Sequence, residues 1–264
     1  MTASQKDKAQ AFRALHEGEP FVIPNPWDAG SARVLEALGF AALATTSSGF
    51  AFTLGRLDGN VTLDEVIEHT RALAGVTAVP ISVDLENGYG AAPEEAARAI
   101  EGAAAAGAVG GSIEDYDRSG RLYDRDEAAA RMEAAAEAAR GLHFPFMLTA
   151  SAENHIRGNP DLDDTIARLQ AYEQAGADAL FAPGLRTAEE IRAVRAATSK
   201  PLNVLFLPVG LTMQEIFDAG AQRISTGGAL AWVAVDAFAS AAQQIRQGDM
   251  SALSARPNLK EWLG

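Results

Sequence analysis

Short apolar segments recur along the whole chain, and each one follows either a proline or a glycine. Four follow a proline and four follow a glycine that ends a helical stretch, and the two kinds alternate: Pro20, Gly39, Pro80, Gly107, Pro145, Gly176, Pro201 and Gly220. A proline at the start of a strand removes no hydrogen bond from the middle of the sheet, and a glycine at a helix end adopts the left-handed conformation. The pattern therefore predicts eight buried strands.

Helical patterns fill the intervals between these strands. Two carry start signals: Thr62-Leu-Asp-Glu65 is a capping box, and Pro93 occupies a first helical turn. The predicted helices are Ser31–Leu38, Leu63–Leu73, Pro93–Ala105, Arg125–Arg140, Leu162–Ala175, Ala188–Ala197, Met213–Asp218 and Leu230–Gln247. Eight strands alternating with eight helices indicate a parallel sheet, because parallel strands need crossover connections.

The chain length favours a closed sheet. Eight strand–helix units within 264 residues match a (β/α)8 TIM barrel of the α/β class, with residues 228–264 as a C-terminal helical extension. The alternative is an open doubly wound sheet, whose first turn is rich in glycine, whereas the segment here reads Pro24-Asn-Pro-Trp27. The sequence shows no low-complexity linker, so we expect a single barrel domain over residues 1–264.

Composition excludes several classes of function. The chain has 22 Lys and Arg against 35 Asp and Glu, and this net charge of −13 disfavours nucleic acid, whose phosphates require clustered cations. Because there is no cysteine, disulfides, thiolate metal sites and cysteine nucleophiles are excluded. The longest apolar stretch, Ala229–Val235, is too short to span a bilayer, and the N-terminus lacks the apolar core of a signal peptide. We therefore expect a cytoplasmic protein that binds neither nucleic acid nor membrane.

Carboxylates collect where the predicted barrel has its mouth. Asp84 and Glu86 stand two residues apart at the end of the third strand, Asp58 lies in the preceding loop, and Glu114 ends the fourth strand. The loops after the strands form the active site in such barrels. Four carboxylates there repel one another unless protons or a cation intervene, and oxygen ligands without thiols favour Mg2+ or Mn2+. The alternative for each residue is the capping of the next helix.

The run Asp84-Leu-Glu-Asn-Gly-Tyr-Gly90 resembles the Asp-x-Asp-x-Gly-Tyr-Gly motif of the isocitrate lyase/phosphoenolpyruvate mutase superfamily. The resemblance continues in the same order through 25–33, 46–49, 54–58, 113–115 and 175–179. It implies a barrel with Mg2+ at its mouth, in agreement with the strand count. It also implies that Asp84 binds the metal directly, whereas Asp58, Glu86 and Glu114 act through metal-bound water.

The same resemblance implies which residues bind the substrate. Thr46 to Gly49 match the turn that holds a carboxylate and a 2-oxo oxygen, and small polar residues let a backbone approach an anion closely. Trp27 matches the loop after the first strand, with barrel packing as its alternative role. The substrate-binding candidates are Trp27, Thr46, Ser47, Ser48, Gly49, Asp84 and Asn203.

The catalytic candidates are Glu114, which is also a metal-site candidate, and two further residues, Glu153 and His155. Glu153 occupies its family position after the fifth strand. His155 is the only histidine near the predicted mouth, which makes it a candidate acid or base, and a hydrogen-bonded loop histidine is the alternative.

Two departures mark a divergent member of the superfamily. Many of its lyases carry a Lys-x-Cys-Gly-His loop after strand 4, whereas this chain has a loop of residues 116–123 without cysteine. The family arginine after strand 5 is replaced by Ser151, which does not neutralise an oxyanion as a guanidinium does. Either the substrate differs or another arginine reaches the site, and the candidates are Arg118, Arg121, Arg157 and Arg186.

Together these features predict a Mg2+-dependent carbon–carbon lyase or decarboxylase. Its substrate would be a small 2-oxo or 2-hydroxy di- or tricarboxylate, oxaloacetate-like or methylisocitrate-like, cleaved through a metal-stabilised enolate. Of the candidate reactions, decarboxylation depends least on the missing cysteine and arginine, because a β-keto acid loses CO2 with little help beyond a metal and an electron sink. The alternatives are hydrolysis of oxaloacetate or phosphonopyruvate, and a 2-oxo acid binding protein with weak catalysis.

The eighth predicted helix bears on assembly. It is apolar on most of its circumference, so its outer side needs cover from a partner chain or from the tail Ser251–Gly264. The resemblance implies subunits that contact each other through C-terminal helices. We therefore expect a homo-oligomer, a tetramer, with residues 228–264 in its contacts.

Overall fold

The computed structural model describes residues 3–208, 210–254 and 257–264. Parts of two predicted segments, the N-terminus examined for a signal peptide and the C-terminal tail, lie outside the described residues, at Met1, Thr2, Ala255 and Arg256.

Eight parallel strands form a (β/α)8 barrel, which confirms the predicted fold. They are β1 (Phe21–Ile23), β2 (Leu43–Ala44), β3 (Ile81–Asp84), β4 (Gly110–Glu114), β5 (Met147–Ser151), β6 (Ala179–Phe181), β7 (Leu202–Leu205) and β8 (Arg223–Ser225). The strands pair in the order β1-β8-β7-β6-β5-β4-β3-β2, and the Ala44 amide donates a 3.1 Å hydrogen bond to the Pro24 carbonyl across the remaining gap.

The predicted helices surround the barrel, five of them with the predicted ends. The helices are α1 (Gln5–Glu17), α2 (Ala29–Ala37), α3 (Ser47–Thr53), α4 (Leu63–Val76), α5 (Pro93–Ala105), α6 (Arg125–Arg140), α7 (Leu162–Ala175), α8 (Ala188–Ala197), α9 (Met213–Asp218), α10 (Ala229–Arg246) and α11 (Leu259–Leu263). The four glycines before even-numbered strands all have positive φ, from 90° at Gly39 to 108° at Gly176, as a left-handed helix end requires. The sequence patterns did not predict α1, α3 and α11.

Helix α1 packs against the barrel wall on the side away from the mouth. Its Ala9 and Phe12 are buried in one cluster with Val109 and Met147, which stand where β4 and β5 begin. Arg223 Nη1 lies 3.0 Å from His16 Nε2, and His16 Nδ1 lies 2.8 Å from the Phe12 carbonyl oxygen. Because arginine only donates, Nε2 of His16 accepts and Nδ1 carries the hydrogen.

This contact predicts a pH dependence of stability. Burial, with the charge of Arg223, lowers the pKa of His16 from 6.5 to about 3. As pH falls below about 6.5, the unfolded chain takes up a proton that the folded chain refuses until about pH 3, so stability decreases over that window. We expect His16 to contribute a loss of about 2 kcal/mol between pH 7 and pH 5.

Urea unfolding at the two pH values measures this loss. Over the same pH interval, the free energy of unfolding of His16→Gln should fall by about 2 kcal/mol less than that of wild type. His143→Gln, which changes an exposed histidine, is the matched control and should behave as wild type. Equal losses in wild type and His16→Gln would contradict the prediction.

Helix α10 presents an apolar face to solvent. Of its 18 residues only Ala231 is buried, and Trp232, Val233, Phe238 and Ile245 are exposed. Helix α11 packs mainly on α2, where Arg33 Nη2 donates to the Leu263 carbonyl at 2.8 Å, whereas the short 3-10 helix Ser251–Ser254 contacts α10. The described part of the tail therefore leaves most of this face open. None of the helices built from described residues has both the length and the apolarity needed to cross a membrane.

Candidate active site

The C-terminal ends of the eight strands enclose a cavity of about 230 Å3, called here the mouth cavity. This is smaller than the roughly 300–1,000 Å3 of pockets for drug-sized ligands, so it suits a small acid. Its polar lining consists of Asn25, Thr45, Thr46, Ser47, Ser48, Asp58, Ser82, Asp84, Ser112, Glu114, Ser151, Glu153, Arg157, Asn203, Arg223 and Ser225. A second cavity of about 300 Å3, the outer cavity, adjoins it under the loop after β4.

Asp84, the last residue of β3, connects two predicted parts of the site. Its Oδ2 accepts a 3.0 Å hydrogen bond from the Ser47 amide, and its Oδ1 accepts one of 3.1 Å from the Glu86 amide. Burial, with the neighbouring charge of Asp58, raises the pKa of Asp84. A cation at this carboxylate would offset both effects.

The predicted turn at residues 46–49 is the first turn of α3. Thr46 is its N-cap, with the hydroxyl accepting from the Gly49 amide at 3.4 Å. A Cβ at residue 49 would lie 2.9 Å from Trp27 Cβ, so a glycine is required where the helix packs on Trp27. Thr46, Ser47 and Ser48 line the mouth cavity, whereas Trp27 and Gly49 do not. The packing of Trp27 against α3 fits its alternative role, and substrate contact by Trp27 and Gly49 stays a prediction.

Glu86 lines the outer cavity rather than the mouth cavity. Its carboxylate accepts from the Tyr89 hydroxyl at 3.1 Å and from Arg118 Nε at 3.2 Å. Burial and the charge of Asp84 raise its pKa to about 7, although the Arg118 guanidinium opposes the shift. Arg118 therefore joins the loop after β4 to the acidic loop after β3.

The backbone of that acidic loop is strained. Glu86 and Tyr89 have φ of 45° and 64°, in the left-handed region that side chains disfavour. The buried Arg131 of α6 donates to the carbonyl oxygens of four residues in the segment 87–92. This contact from a neighbouring helix holds the strained loop in place.

Glu114 and Glu153 share one arginine. Arg157 Nη2 lies 3.5 Å from Glu114 Oε2 and 3.2 Å from Glu153 Oε2, and Ser151 Oγ donates to Glu153 Oε1 at 2.6 Å. Burial raises the pKa of both carboxyls, Glu153 to about 7 and Glu114 well above its usual range, where repulsion from Glu153 adds to the effect. A proton or a cation is therefore favoured between these groups.

The inner wall of the mouth cavity carries a buried cation. Arg223 Nε donates to Asn203 Oδ1 at 2.8 Å and Nη2 donates to Thr149 Oγ1 at 3.1 Å, while Asn203 Nδ2 donates to Ser225 Oγ at 3.0 Å. Burial lowers the pKa of Arg223 to about 10, so it remains charged at neutral pH. Sequence reasoning found Asn203 and missed Arg223 and Ser225, although their i, i+2 spacing on β8 places both side chains on one side of the strand.

His155 does not line the mouth cavity, although Glu153 and Arg157 on either side of it do, and its role as acid or base stays a prediction. Its Nδ1 lies 2.9 Å from Thr165 Oγ1, and its Nε2 lies 4.0 Å from Glu190 Oε1 at the start of α8. Burial also lowers its pKa. The alternative role predicted for it, a hydrogen-bonded loop histidine, matches this position.

The carboxylates fit a hard divalent cation. Asp58, Asp84 and Glu114 line the mouth cavity, and Glu86 lies on the other side of the shared Asp58–Glu114 wall. Among the described residues, no three Asp, Glu, His or Cys side chains lie close enough together to hold a metal directly. That spacing suits Mg2+, which retains several waters and takes one or two direct carboxylates.

Residues 12–246 match the family described as phosphoenolpyruvate phosphomutase. The chain belongs to this family. It is therefore an enzyme of the isocitrate lyase/phosphoenolpyruvate mutase superfamily, whose relatives include lyases.

Individual relatives span nearly the whole chain. An oxaloacetate decarboxylase of Rhodopseudomonas palustris (strain BisB5) is 32% identical over 254 residues, covering 92% of this chain and 86% of its own. A structure from Burkholderia cenocepacia J2315 is 48% identical with a TM-score of 0.94, covering 98% of this chain and 96% of its own. An oxaloacetate acetylhydrolase bound to its product oxalate is 27% identical with a TM-score of 0.88, and the match covers 99% of this chain and 95% of its own. A phosphonopyruvate hydrolase with oxalate and Mg2+ is 25% identical with a TM-score of 0.84, and the match covers 96% of this chain and 93% of its own.

Proposed function

We propose that this enzyme is a Mg2+-dependent carbon–carbon lyase or decarboxylase of a small 2-oxo or 2-hydroxy di- or tricarboxylate. One observation carries the proposal: Asp84 and Glu114 line one cavity of small-acid size together with the first turn of α3. The similarity to an oxaloacetate decarboxylase and to an oxalate-bound acetylhydrolase supports this substrate class.

Each group has an assigned part in this proposal. Asp84 would hold the metal, and Asp58, Glu86 and Glu114 would act through water molecules bound to it. When bound, Mg2+ supplies positive charge beside the substrate carboxylate and the adjacent oxygen, where negative charge grows as the bond breaks. The hydroxyls of Thr46, Ser47 and Ser48 and the amide of Asn203 orient the substrate in the mouth cavity.

Glu153 is assigned the proton transfer that a cysteine performs in other lyases of the superfamily. Its carboxyl lines the mouth cavity, and a pKa of about 7 lets it hold a proton at neutral pH. Burial, with the charges of Asp115 and Asp84, raises this pKa, although the Ser151 hydroxyl and the Arg157 guanidinium oppose the shift. The Glu153 carboxyl then donates the proton to the carbanion carbon of the product.

Turnover of a panel of four- to six-carbon 2-oxo acids, with and without Mg2+ or Mn2+, tests the proposal. Pyruvate and CO2 from oxaloacetate support a decarboxylase, and a cleaved carbon–carbon bond in a longer acid supports a lyase. No metal-dependent turnover of any of them, together with metal-dependent binding of oxalate, would replace the proposal with a 2-oxo acid binding protein.

Hydrolysis is the second candidate, favoured by the structural similarity to oxaloacetate acetylhydrolase and phosphonopyruvate hydrolase. In this case a water would attack the substrate beside the metal, with Glu153 or Glu114 as the base. Oxalate and acetate as products from oxaloacetate, or pyruvate and phosphate from phosphonopyruvate, would identify it.

We also propose a cytoplasmic homotetramer. The open apolar face of α10 supports it, since exposed apolar patches of this kind mark contacts between subunits. Light scattering at micromolar concentration is expected to give about four times the chain mass of 27.7 kDa. Val233→Glu together with Phe238→Glu should lower that mass, and a wild-type mass near 27.7 kDa would contradict the prediction.

A further inference from the structure

The guanidinium of Arg157 lies where the two cavities meet. Arg157 lines both the mouth cavity and the outer cavity, and its side chain is 39% exposed. It follows β5 in the loop that also carries Glu153. The residue therefore borders both the predicted metal region and the outer cavity.

One edge and one face of this guanidinium are already in contact with protein. Nε and Nη2 each lie 3.2 Å from Glu153 Oε2, and the Tyr116 ring lies against the guanidinium with its centroid 4.2 Å from Cζ. No described residue accepts a hydrogen bond from Nη1. A guanidinium presents two donor edges, and the second edge of Arg157, formed by Nη1 and Nη2, donates no hydrogen bond to a described residue, although its Nη2 lies 3.5 Å from Glu114 Oε2. This second edge is called here the free edge.

The charge around the mouth cavity points to a role for that edge. Asp58 and Asp84 place two carboxylates in its lining beside the carboxyl groups of Glu114 and Glu153, and a divalent metal offsets only two charges. A substrate with two carboxylates adds two more, so it enters such a site only if another cation accepts the second carboxylate.

The lining of the mouth cavity offers two arginines among its described residues, Arg157 and Arg223. Arg223 is 5% exposed, and its Nε, Nη1 and Nη2 are all engaged, by Asn203, His16 and Thr149. Arg157 alone of the two has an unengaged nitrogen.

We propose that the free edge of Arg157 binds the substrate carboxylate that is farther from the metal, and thereby makes the site selective for 2-oxo dicarboxylates over smaller acids. This inference rests on the proposed function. It assigns to Arg157 the neutralising charge that Ser151 lacks. A planar guanidinium suits this task, since its parallel N–H groups match the two oxygens of a carboxylate.

Calorimetry with saturating Mg2+ and two probes tests the inference. Oxalate has no carboxylate beyond its adjacent pair, whereas 3,3-difluorooxaloacetate has one at the far end of a four-carbon chain. Arg157→Gln is expected to weaken binding of the four-carbon probe on the order of tenfold to a hundredfold, with oxalate binding little changed. Arg157→Lys should fall between, because it keeps the charge and loses the planar edge.

The matched control is Arg121→Gln. Arg121 lies in the loop after β4 and pairs with Asp117 and Glu127, but it lines neither cavity. This variant should bind both probes as wild type does.

The outcomes separate this inference from the proposed function. Equal weakening of both probes in Arg157→Gln, or no weakening of either, would overturn the inference, since Arg157 would then serve only Glu114 and Glu153. If wild type with Mg2+ bound neither probe, the proposed function would fail and the inference would fall with it.

Discussion

Asp84→Ala is expected to lower metal-dependent activity by more than about a hundredfold while the barrel remains folded. Changes to groups that only support a metal ligand typically cost about ten- to a hundredfold, and the loss of a direct ligand should exceed that. The same change removes a half-buried carboxylate whose pKa is raised by desolvation and by the charge of Asp58. Its removal therefore relieves an electrostatic cost in the metal-free protein.

Asp84→Asn refines this test because it keeps an acceptor for the Ser47 or Glu86 amide, both of which donate to Asp84. We expect its melting temperature without metal to equal or exceed that of wild type, with Mg2+ affinity reduced at least tenfold in calorimetry. Glu86→Gln is the comparison variant and should lose less affinity, since Glu86 is expected to act through water. Wild-type Mg2+ affinity in Asp84→Asn would show that the ligand assignment is wrong.

The sequence predicted the barrel well because the prolines and glycines that mark the ends of its strands and helices act locally. Proline before a strand and glycine after a helix act through backbone geometry that neighbours in space do not alter, as the positive φ at Gly39 and Gly176 shows. Helices α1 and α11 were not predicted because they lie outside the alternation. The sequence motif at residues 46–49 predicts a substrate-binding turn, whereas the structure continues it into helix α3 with Thr46 as the N-cap.

The site was predicted in part, and the reason is the direction of side chains. Asp84, Glu114 and Glu153 follow strands, so their meeting at one mouth follows from the parallel sheet. The position of a residue in a loop does not determine where its side chain points. Sequence position therefore places Trp27 and His155 near a cavity that they do not line.

The partners of the charged groups depend on packing between distant segments. The pairing of Arg118 with Glu86 joins residues 32 positions apart, and that of Arg223 with His16 joins residues 207 positions apart. No periodicity in the sequence marks either contact. Arg157 was one of four candidate arginines, and only the structure distinguishes it from Arg121 and Arg186, which line neither cavity.

Asp115→Ala is expected to cause a large loss of stability. Asp115 is fully buried, and its carboxylate accepts from the Tyr172 hydroxyl at 2.5 Å, from Arg168 Nη1 at 3.1 Å and from the Glu153 amide at 2.7 Å. Alanine leaves a cation, a hydroxyl and an amide without this acceptor in the interior. We expect the free energy of unfolding to fall by about 3–5 kcal/mol, measured by urea unfolding.

Tyr172→Phe is the matched control, because it removes one of these three hydrogen bonds and keeps the carboxylate. It should cost about 1–2 kcal/mol and leave turnover close to wild type. Asp115→Asn keeps the shape and weakens the contacts to Arg168 and to Glu153, so it should lower turnover more than Tyr172→Phe does at temperatures where both are folded. The reason is that the hydrogen bond from the Glu153 backbone amide to the Asp115 carboxylate determines where the Glu153 carboxyl enters the mouth cavity. Equal turnover in the two variants would show that Asp115 supports the fold without positioning Glu153.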